Sequence, residues 1–172
     1  MSGMPVAVFR QWIVICITSA VLAGCGHEQV RRLPDDSAGT AVPVRAGKSA
    51  GRPAGERAAS VALGQLGVPY HYGGTTSRGF DCSGLVQYAW HRAGTSIPRT
   101  TTEQWKQLAK VRSSDLQIGD LLFFRIDGRV SHVGMYLGDR RFVHAPASGR
   151  SVSVASLDSG FYRQKFVGGA RP

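Results

Sequence analysis

Hydrophobic positions in the last two thirds of the chain follow two periods, and the helical period comes first. Apolar residues recur at helical spacing in residues 58–66, 82–92 and 101–108. The alternating or short apolar runs typical of strands follow in residues 120–125, 130–137, 141–145, 151–155 and 165–168. Thr100, three residues before Glu103, predicts a capping box at the start of the third helix. This order predicts an α+β domain with its helices packed on one face of an antiparallel sheet.

The start of the chain has the pattern of an export signal. One charge, Arg10, precedes an apolar run over residues 13–22, which is shorter than the ~20 residues that a transmembrane helix needs. Residues 22–25, Leu-Ala-Gly-Cys, resemble a bacterial lipobox, which implies cleavage before Cys25 and a lipid on its sulfur. Residue 26, which follows Cys25, is Gly and not Asp, and this resembles the sorting signal of outer-membrane lipoproteins. An ordinary cleaved signal or an uncleaved anchor, with Cys25 incidental, is the alternative.

We therefore predict a lipoprotein signal peptide over residues 1–24 and a lipidated Cys25 that begins a flexible tether over residues 25–56. The tether is rich in Gly, Ala, Ser, Pro and Arg, and residues 26–56 contain no aromatic side chain. Residues 57–172 form the predicted domain. The expected location is the outer membrane, with the protein facing the periplasm of a Gram-negative envelope.

Composition narrows the class of protein further. A chain of 172 residues with 42% hydrophobic and 19% charged residues fits one soluble globular domain with a tail. The net charge of +10 invites a nucleic-acid partner, but the basic residues are scattered and form no run of five or more. We predict no nucleic-acid partner, and a basic domain suits an anionic cell wall. We expect a monomer.

Cysteine use singles out Cys82. Three cysteines are too few for a disulfide scaffold. Cys16 leaves with the signal and Cys25 is acylated, so Cys82 is the one free thiol expected in the mature protein. It lies in the first turn of a predicted helix, between Asp81 and Ser83, where the helix dipole and free N–H groups favour a thiolate. The position favours a reactive cysteine, and we expect its sulfur to be ionised.

Two histidines are the best partners for this thiol. His27 lies in the tether and His91 near the exposed end of the Cys82 helix. In the strand over residues 130–137, alternation places Val133 on the core face and His132 on the other face. His144 lies on the next strand, across a turn.

Hairpin register decides whether the two rings meet. A three-residue loop over residues 138–140 would pair Leu137 with Arg141 and Gly134 with His144. His132 and His144 then become diagonal neighbours, roughly 7–8 Å apart. A loop of two or four residues would place the rings on opposite faces of the hairpin.

Together these residues predict nucleophilic catalysis. A thiol at its free pKa is mostly protonated, so an imidazole takes its proton and later returns it to a leaving amine, while a third polar group fixes the ring tautomer. The alternatives are two structural histidines with a buried cysteine, or a Cys-His-His metal site that lacks a fourth ligand with close spacing. We predict no cofactor and no metal.

Five blocks of sequence carry a family resemblance, and they are residues 70–74, 81–86, 119–121, 132–136 and 142–145. In this order and spacing they resemble the NlpC family of cell-wall cysteine peptidases, which are papain-like in fold. The likeness extends over residues 58–166. The short tether and lipobox look most like the single-domain Gram-negative lipoprotein murein endopeptidases.

The resemblance implies roles for individual residues. Cys82 is the nucleophile, His132 the general base and His144 the orienting residue. The hydroxyl of Tyr70 and the backbone N–H of Cys82 stabilise the oxyanion. The remaining candidates, for substrate binding, are Asp81, Ser83 and Arg99.

Each of these binding roles has an alternative. Asp81 and Ser83 touch the amine or amide groups of a peptide, or they only cap the helix. Arg99 pairs with a substrate carboxylate, or it is a plain surface arginine.

The implied substrate is the stem peptide of peptidoglycan, cut by acyl transfer through a thioester. The resemblance leaves open whether the bond joins D-glutamate to the diamino acid or lies in the cross-link between stems. Two other functions stay open: a non-catalytic wall-binding lipoprotein of the same fold, and an amidase or acyltransferase that uses the same Cys-His pair on lipid or another amide.

Overall fold

The computed structural model describes residues 53–172, and the predicted signal peptide, Cys25 and all but the last residues of the predicted tether lie outside them. Helix α1, Ala54–Leu63, follows Pro53 and begins three residues before the predicted domain start at 57. The predicted helix, residues 58–66, therefore begins four residues too late and ends three residues too late. The residues of α1 that face the core are small: Ala58, Ala59 and Ala62.

The second and third helices form where the sequence predicts them. Helix α2 spans Cys82–Arg92 and helix α3 spans Thr101–Gln107. The predicted capping box is confirmed: the hydroxyl of Thr100 accepts the N–H of Glu103, whose carboxylate accepts the N–H of Thr100. A two-stranded ribbon, β1 (Thr75–Thr76) and β2 (Gly79–Phe80), leads directly into α2.

A six-stranded antiparallel sheet forms the rest of the fold, so the predicted α+β class is confirmed. Its strands, in sheet order, are β3 (Ala109–Val111), β8 (Phe166–Arg171), β4 (Leu121–Ile126), β5 (Arg129–Gly138), β6 (Arg141–His144) and β7 (Ser153–Ser156). The sequence did not predict β1, β2 and β3, which are two or three residues long and carry too little pattern to detect.

Both faces of the sheet are covered. Leu121 and Phe123 of β4 belong to the main core with α1 and α2, whereas Leu122 and Phe124 belong to a second cluster on the opposite face. A short helix, α4 (Gly160–Lys165), packs on that second face through Tyr162. The expectation that the helices cover one face is therefore wrong for α4, which is six residues long and has no buried residue to reveal it.

The β5–β6 hairpin has the predicted register but reaches it differently. Met135 pairs with Val143 and Tyr136 with Phe142, as predicted. Near the turn the register shifts, so that Gly138, and not Leu137, opposes Arg141. The loop is two residues, Asp139 and Arg140, with φ of 47° and 55°, the left-handed conformation that suits a tight hairpin. The predicted three-residue loop is wrong. A two-residue loop alone would place His132 and His144 on opposite faces of the hairpin, and the bulge at residue 137 returns them to the same face.

Gly134 of β5 provides a test of this packing. A Cβ atom there would lie 2.5 Å from Cδ2 of Phe142, a buried ring of the second cluster. We expect Gly134→Ala to lower the free energy of unfolding by about 1–3 kcal/mol, because either the ring or the strand must move. Urea denaturation measures the change. Gly160→Ala is the control, since nothing lies within 4 Å of the added atom, and an equal loss in both variants would contradict the assignment.

Candidate active site

Helix α2 places Cys82 at the point where the β1–β2 ribbon enters the core. Phe80 is fully buried just before it, and the backbone N–H of Asp81 donates to the carbonyl of Gly74 at 3.0 Å. The carboxylate of Asp81 is the N-cap and accepts the N–H of Gly84 at 2.6 Å. Cys82 is therefore the first helical residue, and its own N–H is one of those that have no acceptor inside a helix.

The thiol of Cys82 is half-buried and lies against strand β5. Its Sγ is 3.7 Å from the hydroxyl of Thr101 and donates to the carbonyl of Ser131 at 3.9 Å. The N–H of Val133 also bonds to the sulfur. Because the backbone groups of a strand point within the plane of its sheet, these contacts place the sulfur at the edge of β5, level with His132.

The environment of the sulfur disfavours the thiolate, contrary to the expectation from its helix position. Burial raises the pKa of the Cys82 thiol above its ordinary value of 9.0, and the charge of Asp81 adds to the rise. Hydrogen bonds from Thr101, Val133 and Ser83 act in the opposite direction but are outweighed. Burial therefore favours the neutral thiol in the resting protein.

The two histidines meet as the hairpin register requires. Nε2 of His132 lies 2.8 Å from Nδ1 of His144, and the rings stand nearly perpendicular at 78°. His132 is 5% exposed and His144 2% exposed. Both rings face the second cluster, His132 against Phe124 and His144 against Phe142.

Burial keeps both imidazoles neutral. It lowers the pKa of His132 to about 4 and, with the charges of His132 and Arg150, lowers the pKa of His144 to about 3. Within residues 53–172, His132 forms no hydrogen bond with Cys82. Of the two ring nitrogens of His132, Nε2 is the one that takes part in a hydrogen bond. When Nε2 of His132 donates its N–H to His144, Nδ1 of His132 is the ring nitrogen that can accept a proton.

Tyr70 lies beside this group. Its backbone N–H donates to the carbonyl of Arg150 at 2.7 Å, which ties its segment to the loop that follows β6. Burial and the nearby Cys82 and Asp81 raise the pKa of the Tyr70 phenol, so the phenol is a neutral donor near the sulfur. Its oxyanion role stays a prediction.

The three predicted substrate-binding residues bond to one another. Arg99 donates from Nη1 and Nη2 to the two oxygens of Asp81, at 3.1 and 2.6 Å, and from Nη1 to the hydroxyl of Ser83 at 2.9 Å. Ser83 in turn donates to Asp81 at 3.2 Å. Asp81 caps the helix as the alternative allowed, and Arg99 is a partner of Asp81 and not a plain surface arginine. Contact of any of them with substrate stays a prediction.

Two residues at the site were missed from sequence. Thr101, which contacts the sulfur, was identified only as a helix residue, and Tyr162, which lies against His144, belongs to the undetected α4. Neither has a local signal, because each reaches the site from an element distant in sequence. No group of three metal-ligating side chains with suitable geometry occurs in the described part of the chain, and none of its helices is long and apolar enough to cross a membrane.

An α+β fold with a cysteine at a helix N-terminus and a hydrogen-bonded histidine pair on the adjacent sheet defines a thiol-hydrolase type of site. Residues 67–171 match the NlpC/P60 family. The chain belongs to this family, which confirms the resemblance seen in the sequence.

Two relatives show the extent of the likeness. The chain is 41% identical over 113 residues to the murein DD-endopeptidase MepH of Escherichia coli (strain K12), covering 62% of this chain and 42% of that protein. It is 36% identical over 134 residues to the probable endopeptidase NlpC homolog of Haemophilus influenzae, covering 77% of this chain and 71% of that protein.

Solved structures agree with the fold. An NlpC/P60 family protein from Bacillus cereus matches with a TM-score of 0.66 and 37% identity, covering 69% of this chain and 40% of that one. The NlpC/p60 domain of the peptidoglycan hydrolase SagA matches with a TM-score of 0.61 and 33% identity, covering 69% of this chain and 98% of that domain. The chain spans less than half the length of several curated relatives that it matches.

The neutral thiol has a measurable consequence. We expect the rate at which iodoacetamide alkylates Cys82 to rise with pH through a pKa above 9.0, because the thiolate fraction governs the rate. Thr101→Val should slow the reaction at pH 8, since it removes a hydrogen bond that lowers this pKa. Peptide-resolved mass spectrometry reads Cys82 separately from Cys16 and Cys25.

Thr102→Val is the matched control, because Thr102 is the exposed neighbour of Thr101 on the same helix. A rate that is already flat from pH 5 to 8, at values typical of a thiolate, would show an ion pair in the resting protein and contradict this assignment.

Proposed function

We propose that this protein is a peptidoglycan endopeptidase that hydrolyses amide bonds in stem peptides or their cross-links. The observation that carries the proposal is the 2.8 Å contact between His144 on β6 and His132 on β5, because the backbone of β5 also holds the half-buried thiol of Cys82. The name of the Escherichia coli relative, a murein DD-endopeptidase, supports the substrate class.

Acylation begins when a substrate carbonyl carbon comes within reach of Sγ. Nδ1 of His132 accepts the thiol proton as the sulfur forms its bond to that carbon, which gives a tetrahedral oxyanion and an imidazolium. His132 then returns the proton to the amide nitrogen, the carbon–nitrogen bond breaks, and the amine leaves. The product is a thioester on Cys82.

Deacylation repeats these steps with water. His132 takes a proton from the water molecule as its oxygen attacks the thioester carbon, and the sulfur leaves as the carbon–sulfur bond breaks. The proton on His132 passes to the sulfur and restores the neutral thiol. One amide bond and one water molecule are consumed, and a carboxylic acid and an amine are released.

Proton transfer is coupled to attack because both partners rest in their neutral forms. A thiol with a raised pKa and an imidazole with a pKa of about 4 do not form an ion pair on their own. The positive charge on His132 develops only when negative charge develops on the substrate. Nδ1 of His144 accepts the Nε2–H of His132 throughout and stabilises this transient imidazolium.

The oxyanion is expected between two donors. One is the backbone N–H of Cys82, at the positive end of α2, and the other is the neutral phenol of Tyr70. One donor aimed at the developing charge is worth about 3 kcal/mol. The net charge of +10 favours association with a wall whose peptides carry free carboxylates.

Digestion of purified sacculi tests the proposal. We expect the wild-type protein to release peptides and Cys82→Ala to release none, because no other group forms the thioester. His132→Ala should reduce release by about 10³–10⁴-fold through loss of the base, and His144→Ala should reduce it less. Mass spectrometry of the new peptide termini identifies the cleaved bond.

His91→Ala is the control, because His91 is exposed near the end of α2 opposite to Cys82. If the wild type and Cys82→Ala released equal amounts of peptide, the proposal of a cysteine peptidase would be rejected. Intact sacculi together with cleavage of lipid or free amides would favour the acyltransferase or amidase alternative.

We further propose that Cys25 carries a lipid that anchors the protein in the outer membrane. The support is the lipobox-like sequence of residues 22–25 and Gly26. Cys25→Ser should move the protein from the membrane fraction to the soluble periplasmic fraction and abolish incorporation of labelled palmitate, because the acylated sulfur is lost. Cys16→Ser is the matched control, and labelling that survives Cys25→Ser would refute the anchor.

A further inference from the structure

Helix α3 turns a polar face toward the protein interior. Its two buried residues, Thr101 and Gln104, are both polar, and their spacing of three places them on one face of the helix. Trp105, the one apolar residue of α3, is only half-buried. A short helix usually buries an apolar face, because buried polar groups are costly unless they form hydrogen bonds. Packing alone therefore does not account for the buried polar pair of α3.

The side chain of Gln104 is fully buried and acts only as a donor. Its Nε2 donates to the carbonyl of Pro98 at 2.9 Å and to the carbonyl of Ser83 at 3.3 Å. Its Oε1 has no hydrogen-bond partner within residues 53–172. With the amide reversed, Oε1 would face two carbonyl oxygens, so the two acceptors fix the direction of the amide.

Both acceptors lie next to residues of the candidate site. Ser83 follows Cys82 in the first turn of α2, and Pro98 precedes Arg99 in the loop before α3. The amide of Gln104 therefore joins three segments, which are the start of α2, the loop before α3 and α3 itself. This one side chain sets the position of α3 relative to the nucleophile.

We propose that Gln104 is a positioning residue that holds the hydroxyl of Thr101 in contact with the sulfur of Cys82. The proposal rests on the proposed function only for the use of Cys82 as a nucleophile. Thr101 lies one helical turn before Gln104, and its Oγ1 is 3.7 Å from Sγ. Within residues 53–172, the sulfur is the one hydrogen-bonding partner of this hydroxyl. The position of α3 therefore decides whether the contact forms.

The hydroxyl of Thr101 is the donor in this contact. The thiol has one hydrogen, and the carbonyl of Ser131 accepts it at 3.9 Å. Because Thr101 is 8% exposed, a hydroxyl that did not donate to the sulfur would leave a buried O–H unsatisfied. Once the thiol has lost its proton, the sulfur can only accept, and the bond from Thr101 stabilises its negative charge.

Three other groups act on the pKa of the Cys82 thiol. The charge of Asp81 raises this pKa, and backbone hydrogen bonds from Val133 and Ser83 lower it. None of these groups lies on α3. Thr101 is therefore the one group among them whose distance from the sulfur changes directly when α3 moves.

The full chain is compared with Gln104→Met, Thr101→Val and the double variant. Gln107→Met is the matched control, because it makes the same chemical change at an exposed position of the same helix. The rate at which iodoacetamide alkylates Cys82 at pH 8, read by peptide-resolved mass spectrometry, reports the contact without substrate. Soluble cross-linked muropeptides provide kcat.

We expect Thr101→Val to slow alkylation by about ten- to a hundredfold, the factor that a hydrogen bond to a charged group contributes. Gln104→Met should slow it by about three- to tenfold, because methionine matches the length of glutamine but offers no donor. The double variant should differ from Thr101→Val by less than about twofold, because both changes remove the same bond. Values of kcat should fall in the same order, and Gln107→Met should match the wild type.

Two alkylation results would overturn the proposal. Faster alkylation of Gln104→Met would show a purely structural side chain, because loosened packing exposes the thiol and relieves the burial that raises its pKa. Effects of Gln104→Met and Thr101→Val that simply add would show that Gln104 acts through a group other than Thr101.

A measurement on the wild type alone does not depend on whether any variant folds. The Nε2 protons of Gln104 should exchange with solvent more slowly than those of Gln107 in nuclear magnetic resonance spectra, and equal exchange would overturn the proposal. If the alkylation pattern holds but the wild type cleaves no muropeptide, only the proposed function fails. If muropeptides are cleaved but Gln104→Met alkylates like the wild type, only the role of Gln104 fails.

Discussion

The site depends on the strand register of the β5–β6 hairpin, because this register decides whether His132 and His144 lie on the same face. His132 and His144 come within 2.8 Å because Met135 pairs with Val143 and Tyr136 with Phe142, which places both rings on one face. A change of one residue in this register would turn one imidazole to the opposite face. The two-residue turn at Asp139 and Arg140 would produce that change by itself, and the bulge at Leu137 reverses it.

Burial determines how this site handles protons. The second cluster encloses the histidine pair, and the same exclusion of water that lowers both imidazole pKa values raises that of the thiol. In the proposed mechanism, charge on the sulfur and the imidazole is therefore costly at rest and is compensated only when charge develops on the substrate at the same time.

The start of helix α2 is held by hydrogen bonds to the carboxylate of Asp81. Asp81 accepts from the N–H groups of Gly84 and Gly73, while Arg99 and Ser83 donate to its remaining lone pairs. These bonds come from three segments, so the turn before β1, helix α2 and the loop before α3 are fixed to one buried carboxylate. The helix N-terminus that carries Cys82 thus depends on contacts that a capping residue alone would not supply.

The sequence by itself determined the α+β class, the bounds of α2, the capping box of α3, the body of the hairpin register and the positions of Cys82, His132 and His144. These follow from local periodicity, from side-chain capping and from a dense set of family motifs. Tertiary structure decided the protonation of the thiol, the association of Asp81 with Arg99, and the presence of Thr101 and Tyr162 at the site. Desolvation and contacts between distant segments set these features, and neither leaves a periodic trace in the chain.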